Sequence, residues 1–305
     1  MSLRTRRSAV VGLGAALGAA LTGSFATPVS ATPTPVSATP ALAGPAAGRD
    51  ASGAPGRPPL RRAHAHNDYE HTHPLADALS YGFGSVEADI WLVGGRLLVA
   101  HDASGLDPSR TLEALYLDPL ERRVRAGHGR VYPGHNLSLQ LLVDIKTDGA
   151  ATYRELSRRL RRYGTLFTSC ADGRIRRGAV TAVVSGDRGA RGPMAGERLR
   201  HAFYDGRLAD LGGGSPASFI PLVSDNWSAG FGWQGVGPMP AAERARLRRI
   251  VSAAHAEGRR VRFWATPDRP GPAREAVWRE LLSAGVDVLN TDDLAGLEAF
   301  LRAAG

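Results

Sequence analysis

RRAHAHNDYEHTHPLADALSYGFGSVEADIWLVGGRLLVAHD, residues 61–102, holds a strand, a helix and a second strand in succession. Residues 61–66 and 84–91 are short runs suited to buried strands, and 74–82 between them has helical spacing. The same alternation continues down the chain. Further strands are expected at 139–146, 179–185, 219–224, 260–266 and 286–290, and further helices at 111–126, 151–163, 241–257, 271–284 and 293–303. Strand–helix alternation predicts an α/β protein with a parallel sheet. Seven or eight such units over roughly 245 residues predict a single (β/α)8 TIM barrel. No GxGxxG turn follows the first strand, which sets a dinucleotide-binding doubly wound sheet aside. Residues 186–218, rich in Gly and Arg, are expected to hold one degenerate unit.

The barrel domain is expected to span 61–305. Residues 1–31 contain Thr5-Arg6-Arg7, a short Gly/Ala-rich apolar run from Ala9 to Leu21, and a small-x-small site at Val29-Ser30-Ala31. That pattern predicts a signal peptide of the twin-arginine type, and hence a secreted or extracytoplasmic protein. Residues 32–60 are a Pro/Ala/Thr/Gly linker too poor in apolar surface to fold. No later stretch approaches the ~20 apolar residues of a membrane span. Cys170 is the only cysteine, so an internal disulfide is impossible and a buried thiol is expected.

The formal net charge is +9, from 38 Lys+Arg against 29 Asp+Glu. No basic run with interleaved aromatics appears, so nucleic acid is not an expected partner. Of the 38 basic residues only Lys146 is a lysine. Such a bias follows from a GC-rich genome, and a lysine that escapes it points to a site needing a compact ammonium rather than a planar fork.

In a barrel, chemistry sits at the C-terminal strand ends. Strand one ends Ala63-His64-Ala65-His66-Asn67-Asp68, strand two carries Glu87 and Asp89, and a hairpin closes on His101-Asp102. Strand three carries Asp144 and Lys146, a late strand carries Trp264, and the last ends Asn290-Thr291-Asp292. Period-two spacing puts Glu87 with Asp89, and Asp144 with Lys146, on the interior face. Three converging carboxylates are costly without a cation, and their oxygens suit Mg²⁺ or Ca²⁺. Two strand-end histidines nearby suit an acid–base pair: His101, with His66 or His64. His66 stands closer to the strand's end.

These residues resemble the opening of the phosphatidylinositol-phospholipase-C-like phosphodiesterase superfamily, which includes glycerophosphodiester phosphodiesterases and sphingomyelinase D. The HNDY string is similar to a largely uncharacterised branch. The resemblance implies a metal held by Glu87, Asp89 and Asp144, and phosphate contacts from Lys146, Asn67 and Trp264. The Arg-Gly that follows the first histidine in glycerophosphodiesterases is missing here. The expected activity is metal-dependent cleavage of a glycerophosphodiester or phospholipid-like substrate, a small molecule or a lipid at a membrane surface, with no obligate protein partner. Two rivals are an HxH-type zinc hydrolase using His64 and His66, and a non-catalytic barrel that binds a phosphorylated headgroup.

Overall fold

The computed structural model describes residues 57–305. The signal segment and nearly all of the linker assigned above lie outside the described residues.

The strands are β1 (Leu60–Ala65), β2 (Phe83–Val93), β3 (Arg96–Val99), β4 (Leu139–Ile145), β5 (Ser169–Ala171), β6 (Arg174–Arg176), β7 (Val180–Gly186), β8 (Leu199–Arg200), β9 (Ala202–Gly206), β10 (Leu222–Asn226), β11 (Arg260–Trp264) and β12 (Leu289–Thr291). The helices are α1 (Ala76–Ser80), α2 (Asp118–Ala126), α3 (Gly149–Arg162), α4 (Arg191–Ala195), α5 (Trp227–Gly230), α6 (Ala241–Ala256), α7 (Pro272–Ala284) and α8 (Leu294–Ala304). Eight parallel strands run in the order β11-β10-β9-β7-β4-β2-β1-β12. A parallel bridge between Arg262 and Val288 joins the two ends and closes the (β/α)8 barrel. The β3 strand pairs antiparallel with the overhang of β2, and β6-β5-β8 form a small separate sheet.

Each barrel strand is buried on both faces, so its alternation sorts residues between two cores rather than between core and water. Val86, Ala88 and Ile90 of β2, and Leu141, Val143 and Ile145 of β4, pack outward under the helices. Leu142, Val183, Phe203, Leu222 and Val288 form a distinct apolar plug inside the barrel, with the buried Cys170 at its edge. Polar side chains fill the rest of the interior, among them His64, Ser85, Gln140, Asp205, Ser224, Arg262 and Asn290.

The helices cap as their sequences dictate. Asp148 accepts from Ala151 N at the start of α3, Asp293 accepts from Gly296 N at the start of α8, and Gly285 closes α7 in the left-handed conformation. Gly186 ends β7 at φ +78, and a Cβ there would stand 2.3 Å from the Ile145 carbonyl and 2.7 Å from an Asp144 oxygen. Only glycine lets β7 and β4 approach so closely beside Asp144.

Two expectations need correction. The strand expected at 219–224 starts later, at Leu222, and the one at 286–290 is only Leu289–Thr291. The region expected to hold a degenerate unit does so in its helices: α4 is five residues long, a single 3-10 turn at Leu208–Asp210 follows β9, and the strand β9 is kept.

Candidate active site at the C-terminal mouth of the barrel

Asp89 and Asp144 are direct register partners on β2 and β4. Lys146 leaves the end of β4 and sets its Nζ between them, 2.9 Å from Asp89 Oδ2 and 3.0 Å from Asp144 Oδ1. Burial works against the ammonium, but Asp144 and Asp89 outweigh it and hold its pKa above the ordinary lysine value. Asp89 feels the reverse. Burial, then the charge of Glu87, push its pKa up to about 6 despite Lys146 and Tyr69. Tyr69 Oη lies 2.6 Å from Asp89 Oδ2 and 3.0 Å from His101 Nδ1. The phenol has one proton, which the shorter contact assigns to the carboxylate.

His64 and His66 share a face but not a depth. His64 is fully buried, with Nδ1 2.7 Å from Ser85 Oγ and Nε2 2.9 Å from Glu87 Oε2. Burial, then Arg262, lower its pKa to about 4, so the ring is neutral at pH 7. In that state Nε2–H donates to Glu87 and Nδ1 accepts from Ser85. The HxH pair therefore does not present two nitrogens to one zinc ion. His66 is 31% exposed and bonds through Nδ1 to Asp292 Oδ1 at 2.8 Å, which leaves Nε2 for proton exchange. Burial opposes its protonation, but the Asp292 bond and the charges of Glu87 and Asp292 raise its pKa above the ordinary imidazole value. Asp268 holds Asp292 in turn, accepting from its backbone N–H at 2.7 Å. His101 is 62% exposed on the opposite flank of Asp89.

Asn67 follows His66 at φ 47 and donates from Nδ2 to Asp292 Oδ1 at 3.3 Å. Trp264 ends β11, partly exposed, in register with Asn226, and the next residue, Ala265, has φ 54. Non-glycine residues at positive φ just past the ends of β1 and β11, the two strands that flank β12, are strain of the kind that gathers at functional sites.

The sequence did not disclose Arg262. Its Nη2 lies 2.9 Å from Glu87 Oε2 and 2.6 Å from Asn290 Oδ1, both buried. Burial alone would raise the Glu87 carboxyl, but Arg262, helped by His64, holds it far below the usual carboxylate range. Period-two spacing of Arg260, Arg262 and Trp264 on one face of a barrel strand was the signal. Tyr69, inside the HNDY string, and Asp292 also gain partners that only the structure shows.

The donors at this mouth are oxygens, as a hard cation requires. Asp89 Oδ1 is buried and has no hydrogen-bond partner, so a ligating lone pair is unused, and Asp144 stands beside it. Both fit a divalent ion. Glu87 is already neutralised, and among the described residues no three His, Cys, Asp or Glu side chains gather around one point.

The AIM6-like phosphodiesterase domain model matches residues 59–205, and the glycerophosphoryl diester phosphodiesterase family model matches residues 260–295. The chain is 31% identical over 285 residues to Altered inheritance of mitochondria protein 6 of Eremothecium gossypii, covering 80% of this chain and 70% of that one. It is 29% identical over 265 residues to a homologue of that protein from Arthroderma benhamiae, covering 78% and 82%. Among solved structures it is similar to a glycerophosphoryl diester phosphodiesterase from Parabacteroides distasonis, with TM-score 0.49 and 14% identity over 81% of this chain and 87% of that chain. It is also similar to a glycerophosphodiester phosphodiesterase from Agrobacterium tumefaciens, with TM-score 0.42 and 14% identity over 79% and 100%.

Proposed function

The chain belongs to the AIM6-like phosphodiesterase family, and from that premise we propose that the C-terminal mouth hydrolyses a glycerophosphodiester or phospholipid-like phosphodiester with a divalent metal bound. The observation that carries the reading is the buried, unpartnered Asp89 Oδ1 beside the Lys146 ammonium. One carboxylate there has an unused oxygen for a cation, and a neighbouring ammonium can meet a phosphate oxygen.

Mg²⁺ would be held by Asp89 and Asp144, with Glu87 kept in its pairing with Arg262 and His64, and when bound would supply charge stabilisation to the phosphoryl group. Lys146 moves from its two carboxylates to a non-bridging phosphate oxygen. His66, oriented by Asp292 and with its pKa raised above the ordinary imidazole value, takes the proton of the attacking water or substrate hydroxyl through Nε2. His101, open to solvent and anchored through Nδ1 to Tyr69, protonates the leaving alcohol. His64 keeps Glu87 in place and exchanges no proton. Asn67 and Trp264 border the phosphate and its alcohol group. An extracytoplasmic setting rests on residues 1–31 and is tested by fractionating cells that express the full chain.

Hydrolysis of bis(p-nitrophenyl) phosphate by the full chain, with Mg²⁺ and with EDTA, tests the reading. Metal-dependent turnover that His66→Ala removes supports it. Turnover equal in EDTA would refute the metal, and no turnover on this or on glycerophosphodiesters would favour the headgroup-binding alternative.

A further inference from the structure

The opposite end of the barrel opens into a cavity of about 990 Å³, lined by residues at the starts of the strands. Arg61 and Arg62 come from β1, Arg177 from the approach to β7, Arg260 from β11, and Arg130 from the loop before β4. Among the described residues the one lining carboxylate is Asp287, and it already receives Val261 N–H at 2.9 Å and meets His255 Nε2 at 2.8 Å.

What sets these arginines apart is that they line one concavity. Among the described residues none of these five has an ion-pair partner. Arg158, Arg159, Arg161, Arg191, Arg244, Arg262 and Arg274 are paired with carboxylates, whereas other unpaired arginines, such as Arg122 and Arg154, do not line this cavity. Arg61 donates only to the Asn136 carbonyl, and the half-buried Arg260 only to the neutral Gln140 Oε1. The genomic bias explains why these residues are arginine rather than lysine. It does not explain why five positive charges converge on one concavity whose one lining acid, Asp287, is already engaged. Four of them are exposed, and the fifth, Arg260, is partly desolvated with a neutral partner, which is costly.

We propose that this N-terminal mouth binds a small polyanion carrying two or more phosphate groups. The volume lies in the range of small-ligand sites, ~300–1,000 Å³, and guanidinium forks from several sides suit the equatorial oxygens of linked phosphates. A single phosphate would leave most of the arginines unanswered. The half-open concavity, without a basic stripe or stacking aromatics around it, favours a compact ligand over nucleic acid.

Isothermal titration of the full chain with inorganic pyrophosphate, in EDTA at fixed ionic strength, tests the site, with orthophosphate run in parallel. Arg62 and Arg177 are exposed, so Arg62→Ala/Arg177→Ala is expected to fold and to cleave phosphodiesters as the parent does. Pyrophosphate should bind at one saturable site, at least ~10-fold tighter than orthophosphate, and the double variant should lose ~10-fold or more. Lys146→Ala should leave the isotherm unchanged. Binding lost in Lys146→Ala and kept in the double variant would put the anion at the other mouth and overturn the proposal. Equal affinity for the two anions, or no saturable binding, would overturn it as well.

Discussion

The two mouths of this barrel carry opposite chemistry on the same eight strands. At the C-terminal ends Glu87, Asp89, Asp144 and Asp292 each touch a cation or an imidazole, so the surplus of acid is tightly networked. At the N-terminal ends arginines crowd a cavity with almost no acid to meet them. An acidic cluster that keeps an unused buried carboxylate oxygen is prepared for a metal and the phosphate it attracts. A basic cluster without counter-charges is prepared for the anion itself. The difference teaches that net charge, here +9, describes neither mouth.

The largest expected effect separates the mouths by activity. His66→Ala should lower phosphodiesterase turnover ~10²–10⁴-fold, while Arg62→Ala/Arg177→Ala should leave it unchanged. Steady-state rates on bis(p-nitrophenyl) phosphate decide this. A fully active His66→Ala would move the acid–base work to another residue and dissolve the assigned contrast.

Stability separates them next. Arg262→Met strips Glu87 of its buried partner and should cost about 3–5 kcal/mol. Arg177→Met removes an exposed, unpaired charge and should change stability by less than ~0.5 kcal/mol. Urea melts of the two variants measure both. Equal costs would mean that Arg262 and Glu87 are not held as tightly as their 2.9 Å contact indicates.

Much of the C-terminal mouth was legible in the sequence, and the reason the rest was not is physical. Period-two spacing placed Glu87 with Asp89, and Asp144 with Lys146, on the interior face, because a barrel strand has only two sides. Depth along the barrel axis is another matter. His64 and His66 obey the same alternation, yet one is sealed between Ser85 and Glu87 and the other opens beside Asp292. The partner of Glu87 lies 175 residues downstream, beyond any local pattern. The β9 strand was obscured because AFYDG ends in Asp and Gly, both poor strand formers. Asp205 is tolerable there because Arg207 pairs with it at 3.2 Å and Ser185 and Ser224, on flanking strands, donate to it at 2.9 and 2.7 Å. The arginine-lined mouth went unnoticed because its five arginines come from four separate strand approaches.

A titration sharpens the comparison further. Burial and Arg262 lower His64 to about 4, while the unfolded chain's imidazole titrates near ~6.5. Between these values the unfolded state binds a proton that the folded state refuses, so stability rises with pH across that window. The contribution is complete above ~6.5 and lost as pH falls through about 4, and amounts to about 3 kcal/mol. The arginines of the other mouth stay charged throughout and add no slope. Denaturant midpoints from pH 4 to 7 should show the rise in the parent and a flatter curve in His64→Gln, whose amide can still bridge Ser85 and Glu87. The same slope in both proteins would remove His64 as its source.

The smallest effect asks whether the two mouths are independent. They are joined by a polar thread past the apolar plug. Arg260 donates to Gln140 Oε1, Gln140 Nε2 donates to Ser85 Oγ at 2.9 Å, Ser85 Oγ donates to His64 Nδ1 at 2.7 Å, and His64 reaches Glu87. Ser85→Ala deletes the central link and leaves an amide N–H and an imidazole nitrogen buried without partners. That should cost about 1–3 kcal/mol. Arg260→Met breaks the thread at its other end, on the far side of Gln140. If Gln140 is held by both neighbours at once, losing the second link matters less after the first has gone, because the amide is already free to rotate. A double-mutant cycle from urea melts should then give a coupling of at least ~0.5 kcal/mol, with the double variant more stable than the two single losses together imply. Additivity within ~0.3 kcal/mol would mean that Gln140 answers to each neighbour separately, and that an anion in the arginine-lined mouth acts on that mouth alone.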